Sequence, residues 1–249
     1  MVSILITGAS SGLGAALARA HARPGAVLHL GGRDAARLEA VAESCRVRGG
    51  EAFAETVDVV DRDAMAAWVE RSERRRALDT VIANAGISAG THGGDEGAGQ
   101  VRAIFAVNVD GVVNTVMPAI APMRSRRRGR IAIMSSLAGF RGFPGAPAYC
   151  ASKALARVWG EGLRGQLAAD GIAVSVVCPG FVDTPMTAVN PFRMPLLMDA
   201  DRAAALIVRG LEHGRGRIAF PWPMHLLARL AGCLPSGMMD VLGRRMPRK

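Results

Sequence analysis

The sequence predicts an α/β fold in which one parallel sheet of about seven strands carries helices on both faces, a doubly wound arrangement. Three observations predict it. Apolar runs of four to seven residues alternate with segments of helical spacing along the chain. A glycine-rich turn directly follows the first apolar run. Half of the 249 residues are hydrophobic, which is enough for a large core.

The predicted strands are short apolar runs, and the predicted helices are the longer segments between them. The strands are Val2–Ile6, Ala26–Leu30, Ala52–Val57, Thr80–Ala83, Arg130–Met134, Ile172–Val177 and a seventh at Arg217–Phe220. The helices run from the glycine-rich turn to about Ala22, then over Ala35–Val47, Asp61–Arg74, Val101–Met123 and Ala148–Ala168. Pro24-Gly25 ends the first helix, and Gly111 and Pro118 interrupt the long fourth one.

Strands that alternate with helices form right-handed βαβ units, which build a Rossmann-like parallel sheet. Such a sheet binds its ligands beyond the carboxyl ends of its strands. The chain shows no linker and no internal repeat, so residues 1–249 are predicted to form a single domain.

The chain is basic, with a net charge of +10 and a pI near 10.9. Basic charge can indicate nucleic-acid or membrane partners. Here the basic residues are spread out, and the one dense run, Arg124–Arg130, falls between a predicted helix and a predicted strand. Aromatic residues are only 4% of the chain, which argues against a base-stacking surface. We therefore expect no nucleic-acid partner.

Composition also bears on location and metals. No run of about 18 uninterrupted apolar residues is present, so no transmembrane helix is predicted. The N-terminal MVSILITGAS is interpreted as a first strand, not a signal peptide. Scattered cysteines favour reduced thiols and a cytoplasmic location. No metal is predicted, because no two histidines are spaced as ligands; they are His21, His29, His92, His213 and His225.

The glycine-rich turn is Thr7-Gly8-Ala-Ser-Ser-Gly12-Leu-Gly14, and it opens the first helix. Its glycines permit a tight turn and close approach of a pyrophosphate, and the helix N-terminus supplies free N–H groups. The spacing G-x-x-x-G-x-G differs from the general dinucleotide fingerprint G-x-G-x-x-G. An ordinary turn is the alternative, but the position after the first strand favours dinucleotide binding.

The end of the second strand bears on which dinucleotide binds. Folds that bind NAD(H) usually present an acidic residue there for the ribose hydroxyls, whereas Arg33 suits a 2′-phosphate. Asp34 is interpreted as the N-cap of the helix that starts at Ala35. The sequence therefore favours NADP(H) over NAD(H).

One tyrosine and one lysine stand out by composition. Only two of the 31 basic residues are lysines, at 153 and 249, and the only tyrosine is Tyr149. Four residues are about one helical turn, so Tyr149 and Lys153 are predicted to share a helix face. Chemistry that needs a phenol beside an ammonium explains this pair better than coincidence, since arginine cannot replace lysine without changing charge geometry and hydration.

The chain resembles the short-chain dehydrogenase/reductase family from residue 2 to about residue 220. The motifs that carry the resemblance are TGASSGLG (7–14), Asp58-Val59, Asn84-Ala85-Gly86, Asn108, Ser135-Ser136, Tyr149-Cys-Ala-Ser-Lys153 and Pro179-Gly180 followed by Thr184. Each motif is weak alone, but seven in this order form a strong signal. The resemblance implies an NAD(P)-dependent oxidoreductase that acts on carbonyl and alcohol groups of small molecules, as a homodimer or homotetramer.

The resemblance implies a catalytic tetrad of Asn108, Ser136, Tyr149 and Lys153. Tyr149 would be the general acid/base, with a pKa lowered from near 10 by the ammonium of Lys153 and an oxidised nicotinamide. Lys153 would also bond the nicotinamide ribose, and Ser136 would hold the substrate oxygen. Asn108 would hold a water that links Lys153 to solvent. The alternatives are a strand-end serine, a helix bend at Asn108 and a packed aromatic ring.

The resemblance also implies the cofactor contacts. The predicted cofactor-binding residues are Gly8, Ser10, Ser11, Gly12, Leu13, Gly14, Arg33, Asp58, Val59, Asn84, Ala85, Gly86, Tyr149, Lys153, Pro179, Gly180, Val182 and Thr184. Asp58 would receive the adenine amino group, and Thr184 would bond the nicotinamide amide. Asn84 would stabilise the loop near the cofactor. The alternative for Asp58 is a helix N-cap, although Asp61 is better placed for that.

Two segments near the carboxyl end are predicted to shape the substrate site. Residues from about 183 to 199 are rich in Met, Leu and Pro and match the family's mobile substrate lid, with Ile87, Phe140 and Phe143 at the same mouth. Packing on the core or on a neighbouring subunit is the alternative. The apolar lid favours a hydrophobic or mixed substrate. Residues 221–249 form a Leu/Met-rich, basic extension, for which an interface or pocket cover is favoured over membrane contact.

Three other functions stay open at this point. A non-catalytic dinucleotide-binding redox sensor would need no Tyr–Lys pair. A nucleotide-sugar epimerase or dehydratase usually carries another glycine spacing and a longer C-terminal substrate domain. A membrane-surface lipid or steroid dehydrogenase is supported by the extension alone.

Overall fold

The computed structural model describes residues 2–88, 95–190, 192–235 and 237–238. Its strands are β1 (Val2–Thr7), β2 (Ala26–Gly32), β3 (Glu51–Thr56), β4 (Thr80–Ala83), β5 (Gly129–Met134), β6 (Ile172–Pro179) and β7 (Arg217–Phe220). Within those ranges they form one parallel sheet of seven strands in the order β3-β2-β1-β4-β5-β6-β7. The predicted doubly wound, Rossmann-like fold is confirmed.

The helices cover both faces of this sheet. They are α1 (Gly12–His21), α2 (Ala35–Val47), α3 (Arg62–Arg75), α4 (Ala98–Phe105), α5 (Gly111–Ser125), α6 (Pro147–Leu167), α7 (Pro185–Ala188), α8 (Ala200–Glu212) and α9 (Trp222–Cys233). A π-helical segment, Ala106–Asp110, joins α4 to α5, and a 3₁₀ helix, Leu137–Phe140, follows β5. Helices α1, α2 and α8 share one apolar cluster with the sheet, and α3, α5 and α6 share another.

Strand β1 shows why both faces need helices. Ile4 and Ile6 belong to the cluster under α1, whereas Leu5 belongs to the cluster under α5, and all three are fully buried. A strand buried on both faces appears in sequence as a nearly continuous apolar run, and β1 has this pattern. The strand order reverses beside β1. Its carboxyl end and the glycine-rich turn therefore lie at the switch point where such sheets bind ligands.

The predicted helix caps are confirmed at two aspartates. Asp34 accepts a hydrogen bond from the N–H of Arg37 at 3.0 Å at the start of α2. Asp61 accepts from the N–H groups of Asp63 and Ala64, at 3.1 and 3.0 Å, at the start of α3. Each carboxylate satisfies N–H groups that have no partner within the helix.

The predicted long helix differs in detail. It runs from Ala98 to Ser125 through α4, the π-helical segment and α5, and Pro118 lies inside α5 without ending it. By length and composition it is the one helix in the described ranges that could cross a membrane, but half of its apolar window is buried. Val112 and Val116 pack in the core, so we interpret it as a core helix.

Helix α8 was not predicted from the sequence. Parallel pairing of β6 with β7 requires a crossover connection, and α8 provides it. Asp199 caps its start by accepting two main-chain N–H groups. Ala203, Ile207 and Leu211 are buried at a spacing of four residues. The cap and this spacing are the sequence signals that identify the helix.

The dense basic run is held by ion pairs at the end of the sheet opposite the glycine-rich turn. The pairs are Arg124–Asp170 at 2.7 Å, Arg126–Glu73 at 2.5 Å and Arg128–Asp79 at 3.0 Å. Three of the five arginines in the run thus have acidic partners within the chain, which favours a structural role for this charge.

Candidate active site

The glycine-rich turn between β1 and α1 is closely packed. Gly8 and Gly12 have φ angles of +65° and +52°, a left-handed conformation that favours glycine. A Cβ at Gly14 would lie 2.1 Å from the carbonyl oxygen of Gly8, so a larger residue would displace the turn. Asn84 Nδ2 donates to the carbonyls of Thr7 at 2.9 Å and Gly8 at 3.3 Å. These bonds tie the end of β4 to the turn.

The start of α1 suits an anion. Ser11, its N-cap, makes no side-chain capping hydrogen bond. The first N–H groups of a helix have no partner within the helix, and the helix dipole adds positive potential at this end. Free N–H groups beside a close-packed glycine backbone fit the pyrophosphate of a dinucleotide.

A cavity of about 840 Å³ opens at the carboxyl ends of the strands. All the predicted cofactor-binding residues line it, and so does Ser136. Asn108 is the one member of the predicted tetrad that does not. The lining residues that sequence reasoning missed are Gly32, Asp34, Arg37, Val57, Val107, Met134 and Ser135, whereas the lining residues Pro185, Met186 and Thr187 belong to the predicted lid. Of these, Arg37 had a usable signal, because it lies three residues after the helix cap Asp34.

The two residues after β2 differ in their surroundings. Asp34 accepts the N–H of Arg37, and its Oδ2 lies 2.6 Å from the Nε of that residue. The main-chain hydrogen bond, then the guanidinium, lower the pKa of Asp34. Arg33 is exposed, lines the cavity and has no ion-pair partner among the described residues. The carboxylate is therefore engaged, whereas the Arg33 cation is free to meet a ligand.

Asp58 and Val59 follow β3 at the same edge of the sheet. Asp58 Oδ1 accepts the N–H of Val60 at 3.1 Å, which shapes the turn but leaves the second oxygen for another donor. Val59 is buried, and its carbonyl accepts from Asn114 Nδ2 at 2.9 Å. Asp61 caps α3, so Asp58 is not needed as a helix cap.

Asn108 is fully buried in the π-helical segment and is engaged by the protein itself. Its Oδ1 accepts the N–H of Ile87 at 2.8 Å. Its Nδ2 donates to the carbonyl of Ile87 at 2.9 Å and to Ser152 Oγ at 3.0 Å. Both amide hydrogens are therefore used. Asn108 clamps the loop after β4 against α6, and the predicted relay water would have to bind its main-chain carbonyl.

The two serines after β5 have different partners. Ser135 is buried and donates to the carbonyl of Lys153 at 2.7 Å. Ser136 accepts the N–H of Ala138 at 3.1 Å, and its hydroxyl lies 3.4 Å from the carbonyl of Pro179. The second contact is long, so the Ser136 hydroxyl can turn towards a ligand in the cavity.

Tyr149 and Lys153 lie one turn apart on α6, as predicted, and both line the cavity. Lys153 Nζ lies 5.7 Å from the centre of the Tyr149 ring and donates to the carbonyl of Met134 at 3.0 Å. A Cβ at Gly86 would lie 3.1 Å from the same Nζ, so a larger residue there would crowd the ammonium.

Burial governs the pKa values of Tyr149 and Lys153. It raises the pKa of Tyr149 above its ordinary value, and the neighbouring Ser136 side chain opposes the rise without cancelling it. It lowers the pKa of Lys153 to about 8. A low-dielectric site disfavours the charged form of each group. The predicted lowering of the Tyr149 pKa by Lys153 together with an oxidised nicotinamide stays a prediction.

The predicted lid begins shortly after β6, and its end pairs with the residues that follow that strand. The N–H of Asp183 donates to the carbonyl of Met198 at 2.8 Å, which closes the base of the segment. Thr184 starts α7 in a capping box with Thr187. A Cβ at Gly12 would lie 3.1 Å from Thr184, so this base touches the glycine-rich turn. Residue 191 of the predicted lid lies outside the described residues.

Phe140 and Phe143 were predicted to line the substrate mouth, but neither is among the described residues that line the cavity. Phe140, the last residue of the 3₁₀ helix, instead has the Arg157 guanidinium 4.8 Å above its ring. His225 of α9 contacts the same ring edge-on at 5.4 Å. Ile87 does line the cavity, as predicted.

Among the described residues, no group of three His, Cys, Asp or Glu side chains is arranged to hold a metal ion. His92 lies in residues 89–94, outside the described residues. The same is true of residues 236 and 239–249 of the basic extension.

Comparison with known proteins gives a consistent result. The sequence pattern of the short chain dehydrogenase family matches residues 3–192. An uncharacterized oxidoreductase of Myxococcus xanthus is 37% identical over 97% of this chain and 96% of its own length. A short-chain dehydrogenase from Sphingobium yanoikuyae in complex with NADPH matches with a TM-score of 0.82 and 26% identity, over 99% of this chain and 97% of that one. A 3-ketoacyl-ACP reductase from Sinorhizobium meliloti matches with a TM-score of 0.78 and 29% identity, over 90% and 99%.

Proposed function

The chain belongs to the short-chain dehydrogenase family of NAD(P)-dependent oxidoreductases, and we propose that it uses NADP(H) to interconvert a carbonyl and a secondary alcohol. One observation carries the proposal. Ser136, Tyr149 and Lys153 line the same cavity as the glycine-rich turn, so acid/base groups and a dinucleotide site share one space.

The residues of the chain would handle the proton and the substrate oxygen. The Tyr149 hydroxyl gives a proton to the carbonyl oxygen in reduction and takes one from the alcohol in oxidation. Ser136 holds that oxygen next to Tyr149, and its side chain favours the charged form of Tyr149. Lys153, held by Met134, supplies donors to the cofactor ribose and a route for the proton. A bound nicotinamide supplies or accepts the hydride, and its oxidised form adds the positive charge that favours a Tyr149 phenolate.

The preference for NADP(H) rests on the residues after β2. A 2′-phosphate needs a free cation, and Arg33 lines the cavity without an ion-pair partner among the described residues. Asp34, the acid nearest to the place of an NAD-type carboxylate, is engaged by Arg37. The name of the Sphingobium structure, which contains NADPH, supports the same preference.

Part of the cavity lining is apolar. Ile87, Val107, Met134 and Met186 line it together with the acid/base groups. We propose a hydrophobic or mixed carbonyl compound as substrate, to which the name of the 3-ketoacyl-ACP reductase adds support.

Binding and turnover of four proteins would test the function. The dissociation constants of NADPH and NADH are measured for the wild type, Arg33→Ala and the control Arg48→Ala, which replaces an exposed arginine outside the cavity lining. We expect Arg33→Ala to weaken NADPH about tenfold or more and to leave NADH and the control unchanged. Tyr149→Phe should keep NADPH binding and lose turnover on a carbonyl panel.

Each outcome has a defined meaning. Equal binding of NADPH and NADH by the wild type would remove the cofactor preference. Turnover that persists in Tyr149→Phe would overturn the assignment of the acid/base. NADPH binding without turnover on any carbonyl or alcohol would favour a redox sensor.

A further inference from the structure

Helix α9 covers the fold with only one of its sides. Met224 and Ala228 pack against the small apolar cluster around Leu137 and Cys178. His225 contacts the ring of Phe140 on the same side. Along its whole length, however, no residue of α9 is buried.

The outward side of α9 is the apolar one. Trp222, Leu226, Leu227 and Leu230 are 74%, 51%, 65% and 55% exposed. At 100° per residue they form a continuous stripe over about 140° of the helix, on the side away from Met224, His225 and Ala228. A helix that faces water normally carries polar residues on this side. We call these four residues the α9 outer face.

The charge in and after α9 is mostly positive. Arg229 borders the stripe, and α9 contains no acidic residue. In sequence, residues 239–249 carry four basic residues and one acidic residue. The whole chain has a net charge of +10. An occupant with apolar surface and negative charge would therefore complement this face.

We propose that the α9 outer face docks on the surface of an anionic lipid bilayer. An amphipathic helix with a basic border lies in the plane of such a surface, with its leucines among the acyl chains and its arginine near the phosphates. Trp222 suits this position, because indole rings favour the boundary between headgroups and hydrocarbon.

The size of the face favours a bilayer over a second copy of the chain. A helix of 12 residues is roughly 18 Å long and about 10 Å wide, so its outer side covers roughly 200 Å² in projection. A stable protein interface buries about 800 Å² on each partner. Binding to a bilayer does not require a single rigid protein surface of that area.

Vesicle binding tests the proposal without any turnover, so its result is independent of the proposed reaction. The purified full chain is sedimented with vesicles of phosphatidylcholine alone and of phosphatidylcholine mixed with phosphatidylglycerol. The wild type is expected to bind the anionic vesicles more tightly, and added salt should weaken binding. The triple variant Leu226→Ser, Leu227→Ser, Leu230→Ser should lower the partition coefficient about tenfold or more.

A matched control replaces exposed apolar residues elsewhere. Met117→Ser, Leu155→Ser, Val158→Ser alters side chains that are 53%, 45% and 57% exposed on α5 and α6, and this variant should bind vesicles as the wild type does. Trp222 gives a second readout. Tryptophan emission should shift to shorter wavelength on anionic vesicles. Trp222→Phe should lose the shift, since Trp68 is already buried and Trp159 of α6 packs against the core.

Several results would overturn the proposal. These are a wild type that stays in the supernatant, an α9 triple variant that binds as the wild type does, or an emission shift that survives Trp222→Phe. Sedimentation velocity without lipid tests the alternative occupant, a second copy of the chain. If the wild type is an oligomer that does not bind vesicles, and the α9 triple variant sediments as a smaller species, the α9 outer face is an interface between copies of the chain.

Discussion

Replacing Asn108 by alanine should destabilise the protein through the loop after β4. The change leaves the N–H and the carbonyl of Ile87 without their partners at 2.8 and 2.9 Å. Ser152 Oγ keeps its bond to the carbonyl of Tyr149, so two groups are orphaned and not three. Each orphaned group costs about 1–3 kcal/mol, and the sum is about 4 kcal/mol. For a chain of this length the melting temperature should fall by roughly 10 °C.

Asn114→Ala is the matched control for this prediction. Asn114 lies further along the same composite helix and makes one short bond, 2.9 Å to the carbonyl of Val59, from a partly exposed position. Its loss should cost only about 1 kcal/mol. Calorimetric melting of the wild type and both variants measures the difference. Equal melting temperatures for the two variants would refute the view that Asn108 clamps the loop.

Three further predictions concern the turn and two buried bases. Gly14→Ala should weaken dinucleotide binding by about tenfold or more, because its Cβ would lie 2.1 Å from the Gly8 carbonyl oxygen. Gly162→Ala meets nothing within 4 Å and should bind normally in the same calorimetric titration. Burial lowers the pKa of Lys153 from 10.5 to about 8, so between these pH values the unfolded chain binds a proton that the folded chain does not. Stability should therefore rise with pH in that window more steeply in the wild type than in Lys153→Met, and parallel urea-unfolding profiles would contradict this. Burial, aided by the charge of Arg75, lowers the pKa of His29 from 6.5 to about 4, so stability should fall by about 3 kcal/mol as the pH falls through this window. His29→Gln should lose this dependence, and an unchanged slope in urea unfolding would rule it out.

Local chemistry made several elements predictable. The caps Asp34 and Asp61 depend on a side chain and the next three residues, so they can be read from sequence. Helix α8 had equally local signals in Asp199 and the spacing after it. It was missed although its cap and its apolar spacing were both present in the sequence, and although a parallel β6–β7 pair requires a crossover connection.

Other features depended on which segments the fold brings together. Phe140 follows the predicted catalytic serine closely in sequence, yet its ring packs against His225 of α9 and not into the cavity. The side-chain amide of Asn108 is committed to Ile87 and Ser152, which lie 21 and 44 residues away along the chain. No local pattern reports such long-range partners, because they are set by how α6 packs beside the π-helical segment.

The sequence by itself determined the doubly wound sheet, the glycine-rich turn and the single tyrosine one helical turn before the single internal lysine. Each depends on residues close together in the chain, where backbone geometry alone sets the spacing. The tertiary structure decided the electrostatics of the site and the direction of α9. Burial raises the pKa of Tyr149 and lowers that of Lys153. Burial is a property of the packed chain as a whole, and so is the choice of which side of an apolar helix faces water.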